Sequence, residues 1–181
     1  MIIKPESFVN LKRIVTDSDY VESNSLIVRK MKELFIIKYD KSKITLENQH
    51  TLGLFRSIIC DASGKILCFA PPKSIDFDCF SQTTQYSDCY FQEFAEGTMI
   101  NMFWDPTEND WNIATRSNIG GRCKFDMDKQ ETFRYMFLDA CNHVGFDFDN
   151  LEKQYCYSLV LQHPKNRIVV PIVNPDIFMV K

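Results

Sequence analysis

The sequence has few of the residues, and none of the short motifs, that mark the commonest catalytic sites. Its 181 residues include only 3 histidines and 6 glycines. No G-x-x-x-x-G-K-[ST] and no G-x-G-x-x-G segment is present, so neither a P-loop nor a Rossmann dinucleotide site is indicated. The three histidines (His50, His143 and His163) stand outside any known nucleophile motif. A catalytic triad assembles from distant segments, so this class stays open.

Long apolar runs are also missing. No segment approaches the ~18 consecutive apolar residues of a membrane-spanning helix. The first nine residues include Lys4, Pro5 and Glu6 and no apolar stretch of the kind found in a secretory signal. We therefore predict a cytoplasmic location and no membrane contact.

Seven cysteines would suit a metal or disulfide framework, but their spacing does not. They form no C-x-x-C pair, they are odd in number, and several lie in apolar runs such as Ile58–Cys60 and Ile66–Phe69. We predict mostly buried free thiols, a reducing compartment and no metal site. The seven are Cys60, Cys68, Cys79, Cys89, Cys123, Cys141 and Cys156.

Neither sign of charge is in large excess. The 21 Lys and Arg residues against 24 Asp and Glu residues give a net charge of -3, which excludes nucleic-acid binding by bulk charge but leaves a local basic groove open. One basic cluster is interleaved with the aromatic residues Phe35 and Tyr39. It has two interpretations: a surface that binds a polyanion and stacks its bases on these rings, or an amphipathic element whose charged face is in water. The two basic sets are Arg29, Lys30, Lys32, Lys38, Lys41 and Lys43, and then Arg116, Arg122 and Lys124.

Length and composition predict one domain over residues 1–181, because no repeat or linker divides the chain. Ser23–Phe35 has the spacing of an amphipathic helix, with a strand from Leu26 to Lys38 as the alternative. A clear helix covers Phe133–Cys141, with Asp128 as its N-cap and Gly145 just past its end. Strand-rich ends around this helix predict an α+β fold.

Seven strands are predicted from alternating apolar residues between turn residues. The first two are joined by a hairpin turn at Asp61–Gly64, and the next two by a turn at Asp105–Asp110. The seven are Leu54–Cys60, Lys65–Phe69, Thr98–Trp104, Trp111–Thr115, Gln154–Leu161, Arg167–Ile172 and Ile177–Val180.

Five short segments then occur in a particular order: Gly53-Leu-Phe-Arg-Ser-Ile-Ile59, Pro71-Pro-Lys-Ser74, Glu93-Phe-Ala-Glu-Gly-Thr-Met99, Trp111-Asn-Ile-Ala-Thr-Arg-Ser117 and His163-Pro-Lys-Asn-Arg-Ile-Val-Val170. In order and spacing they resemble the adenylylation domain of the T4-type RNA ligase 1 family, from about Leu34 to the C-terminus. This family belongs to the covalent nucleotidyltransferase superfamily. The resemblance implies an antiparallel-sheet nucleotidyltransferase fold, with ATP and Mg²⁺ as nucleotide and metal.

In that family a lysine of a K-x-D-G-[ST] motif attacks the α-phosphate of ATP. Its amine must be neutral to attack, which requires a depressed pKa. The matching segment here is Phe94-Ala95-Glu96-Gly97-Thr98. Its acid, glycine and hydroxyl positions are filled, but Phe94 replaces the lysine, and a phenyl ring cannot form a phosphoramidate.

Other departures agree with the loss of the lysine. The family has a glutamate four residues before the proline of its P-x-N-R-I-V motif, and Val160 stands there. The E-G-x-[VI] and K-x-K motifs that close the nucleotide pocket would fall beyond Lys181. Part of the phosphate-binding set remains: the resemblance implies that Arg56 and Lys73 face the phosphates and that Arg116 replaces the cation of the second hairpin strand. Without the resemblance these three would be surface charges at strand ends.

Two lysines are alternative nucleophiles, Lys38 and Lys73. Lys38-Tyr-Asp-Lys-Ser42 resembles K-x-D-G-S, with Lys41 at the glycine position. A side chain there would obstruct the close approach of backbone to ligand that glycine allows. A solvated strand end is the simpler interpretation of Lys38.

We therefore predict an inactive RNA-ligase-like domain that binds RNA or nucleotide phosphates, or that serves as a structural protein. Its binding residues would be Arg56, Lys73, Glu96, Gly97 and Arg116. Two alternatives stay open: an active RNA ligase with a displaced lysine, and a module that binds a protein partner through exposed aromatic residues. The E-G-T-M-I-N variant of the motif resembles that of proteins of large DNA viruses, which implies a virion or viral factory as a further location.

Overall fold

The computed structural model describes residues 4–124, 131–166 and 168–180. The chain divides into two units, Met1–Lys65 with Pro71–Phe94, and Ile66–Ala70 with Ala95–Lys181. Both contain helices together with antiparallel strands, which confirms the α+β class. One domain over 1–181 stays a prediction. Within the described ranges no helix has the length and apolar character needed to cross a membrane.

The region predicted as an amphipathic helix is a β-hairpin, so the helix over Ser23–Phe35 is wrong and the strand alternative is closer. β1 (Leu26–Met31) and β2 (Leu34–Tyr39) pair antiparallel, with Met31 opposite Leu34. Lys32 and Glu33 form the turn, and Lys32 has a left-handed φ of 56°, as residues in two-residue hairpin turns often do. β-branched residues in both strands favour this extended backbone.

The remainder of the first unit's sheet follows a 3-10 turn at Gly53–Arg56. β3 (Ile58–Cys60) pairs antiparallel with β2, so the predicted strand Leu54–Cys60 is right only in its second half. Asp61 holds the predicted turn, since its carboxylate accepts hydrogen bonds from the backbone N–H groups of Ser63 (2.9 Å) and Lys65 (3.1 Å). Partial burial acts to raise the pKa of Asp61. Hydrogen bonds from the Ser63 hydroxyl and from the N–H groups of Lys65 and Ser63 outweigh it and hold the pKa below its ordinary value.

Four short helices in the first unit were not predicted. They have 4 to 7 residues, too few for a hydrophobic period to be recognised. Three begin at a side-chain N-cap, provided by Asn10, Asp17 and Asp76. The helices are α1 (Leu11–Ile14), α2 (Ser18–Ser23), α3 (Gln49–Leu52) and α4 (Phe77–Thr83), with further 3-10 turns at Pro5–Ser7 and Tyr86–Asp88.

The second unit begins with β4 (Ile66–Phe69), a predicted strand, and contains an antiparallel sheet in the order β7-β6-β5-β8-β9. The predicted hairpin across Asp105–Asp110 is confirmed, with Trp104 opposite Trp111. The strands are β5 (Thr98–Asp105), β6 (Asp110–Thr115), β7 (Asn118–Ile119), β8 (Tyr157–Gln162) and β9 (Asp176–Met179).

Helix α5 (Phe133–Val144) is confirmed and packs on this sheet. Its N-cap is Thr132, whose hydroxyl accepts a hydrogen bond from the N–H of Tyr135 at 3.2 Å; the predicted cap, Asp128, lies outside the described residues. Gly145 ends the helix with a left-handed φ of 68°, as predicted. The core of the unit consists of Ile100, Met102, Ile113, Phe133, Met136, Phe137, Ala140, Cys141, Leu159 and Leu161.

The predicted strand over Arg167–Ile172 is wrong for its described part. After β8 the chain makes a 3-10 turn at Pro164–Asn166, and residues 168–172 form no strand; Arg167 itself lies outside the described residues. The physical reason is that the N–H groups of Val169 and Val170 donate to the Glu96 carboxylate and not to a neighbouring strand.

Adjacent residues of α5 provide a test of this core. Phe137 is fully buried, whereas Leu138 is 43% exposed. We expect Phe137→Ala to lower the free energy of unfolding by about 3–5 kcal/mol, because it leaves a cavity in the core. Leu138→Ala should cost less than about 1 kcal/mol. Urea denaturation followed by circular dichroism measures both, and equal losses would contradict this packing of α5.

Candidate functional site

The carboxylate of Glu96 lies against two consecutive backbone N–H groups. Its Oε1 accepts from Val169 at 2.6 Å, and both carboxylate oxygens accept from Val170, at 3.2 and 3.1 Å. Successive backbone N–H groups form a concavity that binds anions. Here the chain's own carboxylate fills it, so Glu96 has a structural role in this unit.

Gly97 is required by the close approach of β8. A Cβ atom added at this residue would lie 2.4 Å from the carbonyl oxygen of Leu161 and 2.6 Å from Cγ1 of Val160. The φ of Gly97 is +157°, which side chains rarely adopt. Beside it, the amide of Gln162 donates to the carbonyl oxygen of Glu96 at 2.8 Å. The Glu96–Thr98 segment is called here the motif loop. The close approach at Gly97 and the hydrogen bond from Gln162 both hold this loop against the end of β8.

Thr98 completes the contacts of the motif loop. Its hydroxyl oxygen accepts from the side-chain amide of Asn166 at 2.8 Å, and Asn166 is only 3% exposed. All three residues of the motif loop thus contact the segment from Val160 to Val170. The order of the sequence motifs could locate this pair of segments, but it could not show that main-chain groups would occupy the glutamate.

The two positions at which the resemblance implies a lysine and a glutamate are both apolar. The phenyl ring of Phe94 is 89% exposed, and it offers no amine. Val160 is 6% exposed, lies opposite Met99 in the β5–β8 register, and packs against Gly97. No group at either position can attack or polarise a phosphate.

Arg56 and Lys73 are brought to the same turn of the first unit. Arg56 ends the 3-10 turn that Gly53 begins. The backbone N–H of Lys73 donates to the carbonyl oxygen of Gly53 at 2.9 Å, and its Cβ lies 3.4 Å from a Cβ built on Gly53. The ammonium of Lys73 donates to the carbonyl oxygen of Ser74 at 2.9 Å. Both cations are half-buried.

The remaining predicted site residues lie elsewhere in the chain. Lys38 is in β2 opposite Ile27 and is half-buried. Arg116 directly follows β6 and is also half-buried. Lys38 belongs to the same unit as Arg56 and Lys73, whereas Arg116 belongs to the unit of the motif loop.

The basic cluster occupies the β1–β2 hairpin and the residues after it, and most of it faces solvent. Arg29, Lys30, Lys32, Lys41 and Lys43 are exposed. The aromatic residues within it are not available for stacking. Tyr39 is only 6% exposed, and the half-buried ring of Phe35 has the Lys30 ammonium 5.7 Å from its centroid.

His163 has a structural role that its sequence context does not reveal. The residue is 3% exposed. Its Nδ1 accepts the backbone N–H of Lys165 at 3.1 Å, so the ring proton is on Nε2, which donates to Oδ2 of Asp139 at 3.0 Å. Both ring nitrogens are therefore used in joining the turn after β8 to α5. Lys165 adds a second link, since its ammonium contacts Oε1 of Glu131 at 2.6 Å.

All seven cysteines are free thiols, three of them buried and four half-buried. Burial raises the pKa of the Cys60 and Cys141 thiols to about 12, so both stay protonated at neutral pH. No three His, Cys, Asp or Glu side chains come together as a metal site within residues 4–124, 131–166 and 168–180.

Comparison with known proteins gives no relative: no family model, no curated protein and no solved structure matches this chain. The resemblance to RNA ligases therefore stays a prediction, carried by the residues quoted for it. The structure adds the contacts that those residues make.

Substituting Gly97 tests whether the close approach of β8 determines this position. We expect Gly97→Ala to destabilise the protein by about 2–4 kcal/mol, because its Cβ would clash with main-chain and side-chain atoms of β8. Gly145→Ala is the matched control: its φ is also positive, but a Cβ there would meet nothing within 4 Å. That variant should destabilise the protein by about 1 kcal/mol through backbone strain alone. Similar losses in the two urea titrations would show that the contacts of Gly97 are unimportant.

Proposed function

We propose that this chain is an RNA-ligase-like nucleotidyltransferase domain that binds RNA or nucleotide phosphates and does not transfer adenylyl groups. One observation carries the proposal. The motif loop keeps its acid, glycine and hydroxyl residues, each in contact with the segment that carries the P-K-N-R-I-V motif, while an exposed phenyl ring stands at the lysine position. The residues that follow the family's nucleophile are present, but the lysine nitrogen that would attack ATP is absent.

The apolar contact of Val160 supports the loss of catalysis. A carboxylate at this position would offer oxygen ligands to the metal that neutralises the phosphates, and a valine has none. Because Val160 packs against Gly97, restoring a carboxylate there would place a charge in a buried site. The replacement of the lysine by Phe94 and of the glutamate by Val160 therefore both remove groups that adenylyl transfer requires.

Cations in the first unit support a binding role. Arg56 and Lys73 meet at one turn, where the resemblance implies contacts with phosphates. The exposed cations of the β1–β2 hairpin and the residues just after it, called here the basic hairpin (Arg29, Lys30, Lys32, Lys41 and Lys43), provide a second surface for a phosphate backbone. Binding to such a surface depends on the release of counterions and falls steeply with salt.

An active ligase with a displaced nucleophile is the first alternative. The side-chain nitrogen of Lys73 already donates to the carbonyl oxygen of Ser74 at 2.9 Å, and Lys73 does not precede an acid-glycine-hydroxyl sequence as the family's nucleophile does. Lys38 lies within a paired strand, whereas the family's lysine precedes its glycine turn. Neither arrangement resembles an activated amine.

A protein-binding role is the second candidate function, and a separate observation favours it. The segment from Asp76 to Phe94 has four acidic residues and no basic residue. Five of its aromatic side chains are exposed: Phe77 (63%), Tyr86 (59%), Tyr90 (99%), Phe91 (78%) and Phe94 (89%). An acidic aromatic surface repels a polyanion and suits a basic protein partner.

Covalent labelling tests the absence of adenylyl transfer. After incubation with α-labelled ATP and Mg²⁺ or Mn²⁺, followed by denaturation, we expect no label on the wild-type chain. Phe94→Lys alone should also stay unlabelled, because Val160 remains. Label that disappears in Lys38→Ala or Lys73→Ala would establish the displaced nucleophile, and label on Phe94→Lys would contradict a comprehensive loss of the site.

Salt-dependent RNA binding tests the basic hairpin. Fluorescence anisotropy with a labelled single-stranded RNA, across a series of rising salt concentrations, should give an affinity that falls as salt rises. Lys30→Gln with Lys32→Gln should weaken binding and reduce the slope of log K against log salt by about 0.7 for each phosphate that is no longer neutralised. Lys4→Gln with Lys12→Gln removes the same charge from exposed residues outside the hairpin and should have a smaller effect.

Two results would count against phosphate binding at the hairpin. One is affinity that does not change with salt, as expected of an aromatic interface. The other is an equal reduction of affinity in the two lysine pairs, which would mean that only net charge matters. An absence of RNA binding in folded protein would favour the protein-binding candidate.

A further inference from the structure

Two cysteines that are far apart in sequence meet in the second unit. Cys68 lies in β4, and Cys156 directly precedes β8. The sulfur of Cys156 accepts the backbone N–H of Phe69 at 3.3 Å, and its thiol lies 3.8 Å from the carbonyl oxygen of the same residue. Phe69 directly follows Cys68, so these two contacts place the Cys156 sulfur beside the main chain of Cys68.

We propose that Cys68 and Cys156 form an oxidation site, at which a peroxide converts the two thiols into an intramolecular disulfide. A disulfide requires the two sulfur atoms to approach without large backbone movement. The Cys156 sulfur lies 3.3 Å from the peptide nitrogen that directly follows Cys68, which places the two cysteines on adjoining stretches of main chain. The bond would join β4 to the start of β8.

The two thiols have different roles in this reaction. Cys68 is 1% exposed and Cys156 is half-buried, so solvent reaches Cys156 more readily. The hydrogen bond with Cys156, together with burial, raises the pKa of the Cys68 thiol well above its usual range. Cys156 is therefore the thiol that reacts first with the peroxide, and Cys68 is the thiol that resolves the product.

The reaction balances with hydrogen peroxide as the only oxidant. The Cys156 thiolate attacks one peroxide oxygen, the O–O bond breaks, and hydroxide leaves as water after taking a proton, giving a sulfenic acid. The Cys68 sulfur then attacks the sulfenic sulfur; the S–S bond forms, the S–O bond breaks, and a second water leaves. Two thiols and one peroxide become one disulfide and two waters, with both sulfurs oxidised and both peroxide oxygens reduced.

Other cysteines have polar partners of a different kind. Cys79 accepts from the side-chain amide of Gln49 at 3.6 Å, Cys89 donates to the carbonyl oxygen of Gln85 at 3.2 Å, and Cys123 lies 3.7 Å from the hydroxyl of Thr115. Oxidation of these residues would stop at a sulfenic or higher acid. Selective pairing of Cys68 with Cys156 therefore distinguishes this site from general thiol oxidation.

Peptide mapping of the oxidised protein tests the proposal. The folded, reduced wild-type chain is treated with hydrogen peroxide, remaining thiols are alkylated under denaturing conditions, and the unreduced digest is analysed by mass spectrometry. We expect a crosslinked peptide pair that contains Cys68 and Cys156, on a chain that stays monomeric in non-reducing electrophoresis. Dithiothreitol should separate the pair.

Single substitutions provide the controls. Cys156→Ser retains a hydrogen-bonding atom for the N–H of Phe69 and should abolish the crosslink, as should Cys68→Ser. Cys89→Ser removes a half-buried thiol of the other unit and should leave the crosslink unchanged. The crosslink should also raise the Tm of the oxidised wild-type protein by roughly 5–10 °C, because it closes a long loop. Oxidation of Cys89 without formation of the Cys68–Cys156 pair, or a crosslink that joins other cysteines, would overturn the proposal.

Discussion

The path of the chain after β8 depends on one charge-assisted contact, between the Glu96 carboxylate and the N–H groups of Val169 and Val170. Hydrogen bonds of this kind are about twice as strong as those between neutral groups. The contact draws the chain after β8 back across the start of β5, where Asn166 and Gln162 add further hydrogen bonds. It also withdraws two N–H groups from strand pairing, so residues 168–172 form no strand, and the chain rejoins the sheet only at β9.

The same contact gives the motif loop a structural role that does not depend on any chemistry. An acid, a glycine and a hydroxyl in sequence look like the remains of an active site. Here the acid neutralises a main-chain concavity, the glycine admits the carbonyl oxygen of Leu161, and the hydroxyl satisfies a buried amide. Each would be retained for stability alone. Phe94, at the position where the resemblance implies a lysine, has no such structural role, because its side chain extends into solvent.

Sequence patterns predicted the elements whose period is long and unambiguous. The i, i+3, i+4 spacing of α5 and the paired tryptophans of the β5–β6 hairpin were both recognisable. The β1–β2 hairpin was not, because its apolar residues also fit a helical period and its turn, Lys32-Glu33, contains neither glycine nor proline. The partner of Glu96 could not be predicted at all, since a contact with main-chain groups 73 and 74 residues away leaves no side-chain pattern to detect.

Charge and burial together limit how the first unit could hold a nucleic acid. Five of its exposed aromatic residues lie in a segment with four carboxylates and no basic residue, where a phosphate backbone is repelled. Five of its exposed cations lie in the β1–β2 hairpin and the residues just after it, where Tyr39 is buried and Phe35 already has a lysine over its ring. Exposed aromatic side chains and exposed cations are therefore separated along the chain, whereas proteins that bind single strands tightly combine the two in one groove. A polyanion on the hairpin would therefore be bound by charge alone, without base preference.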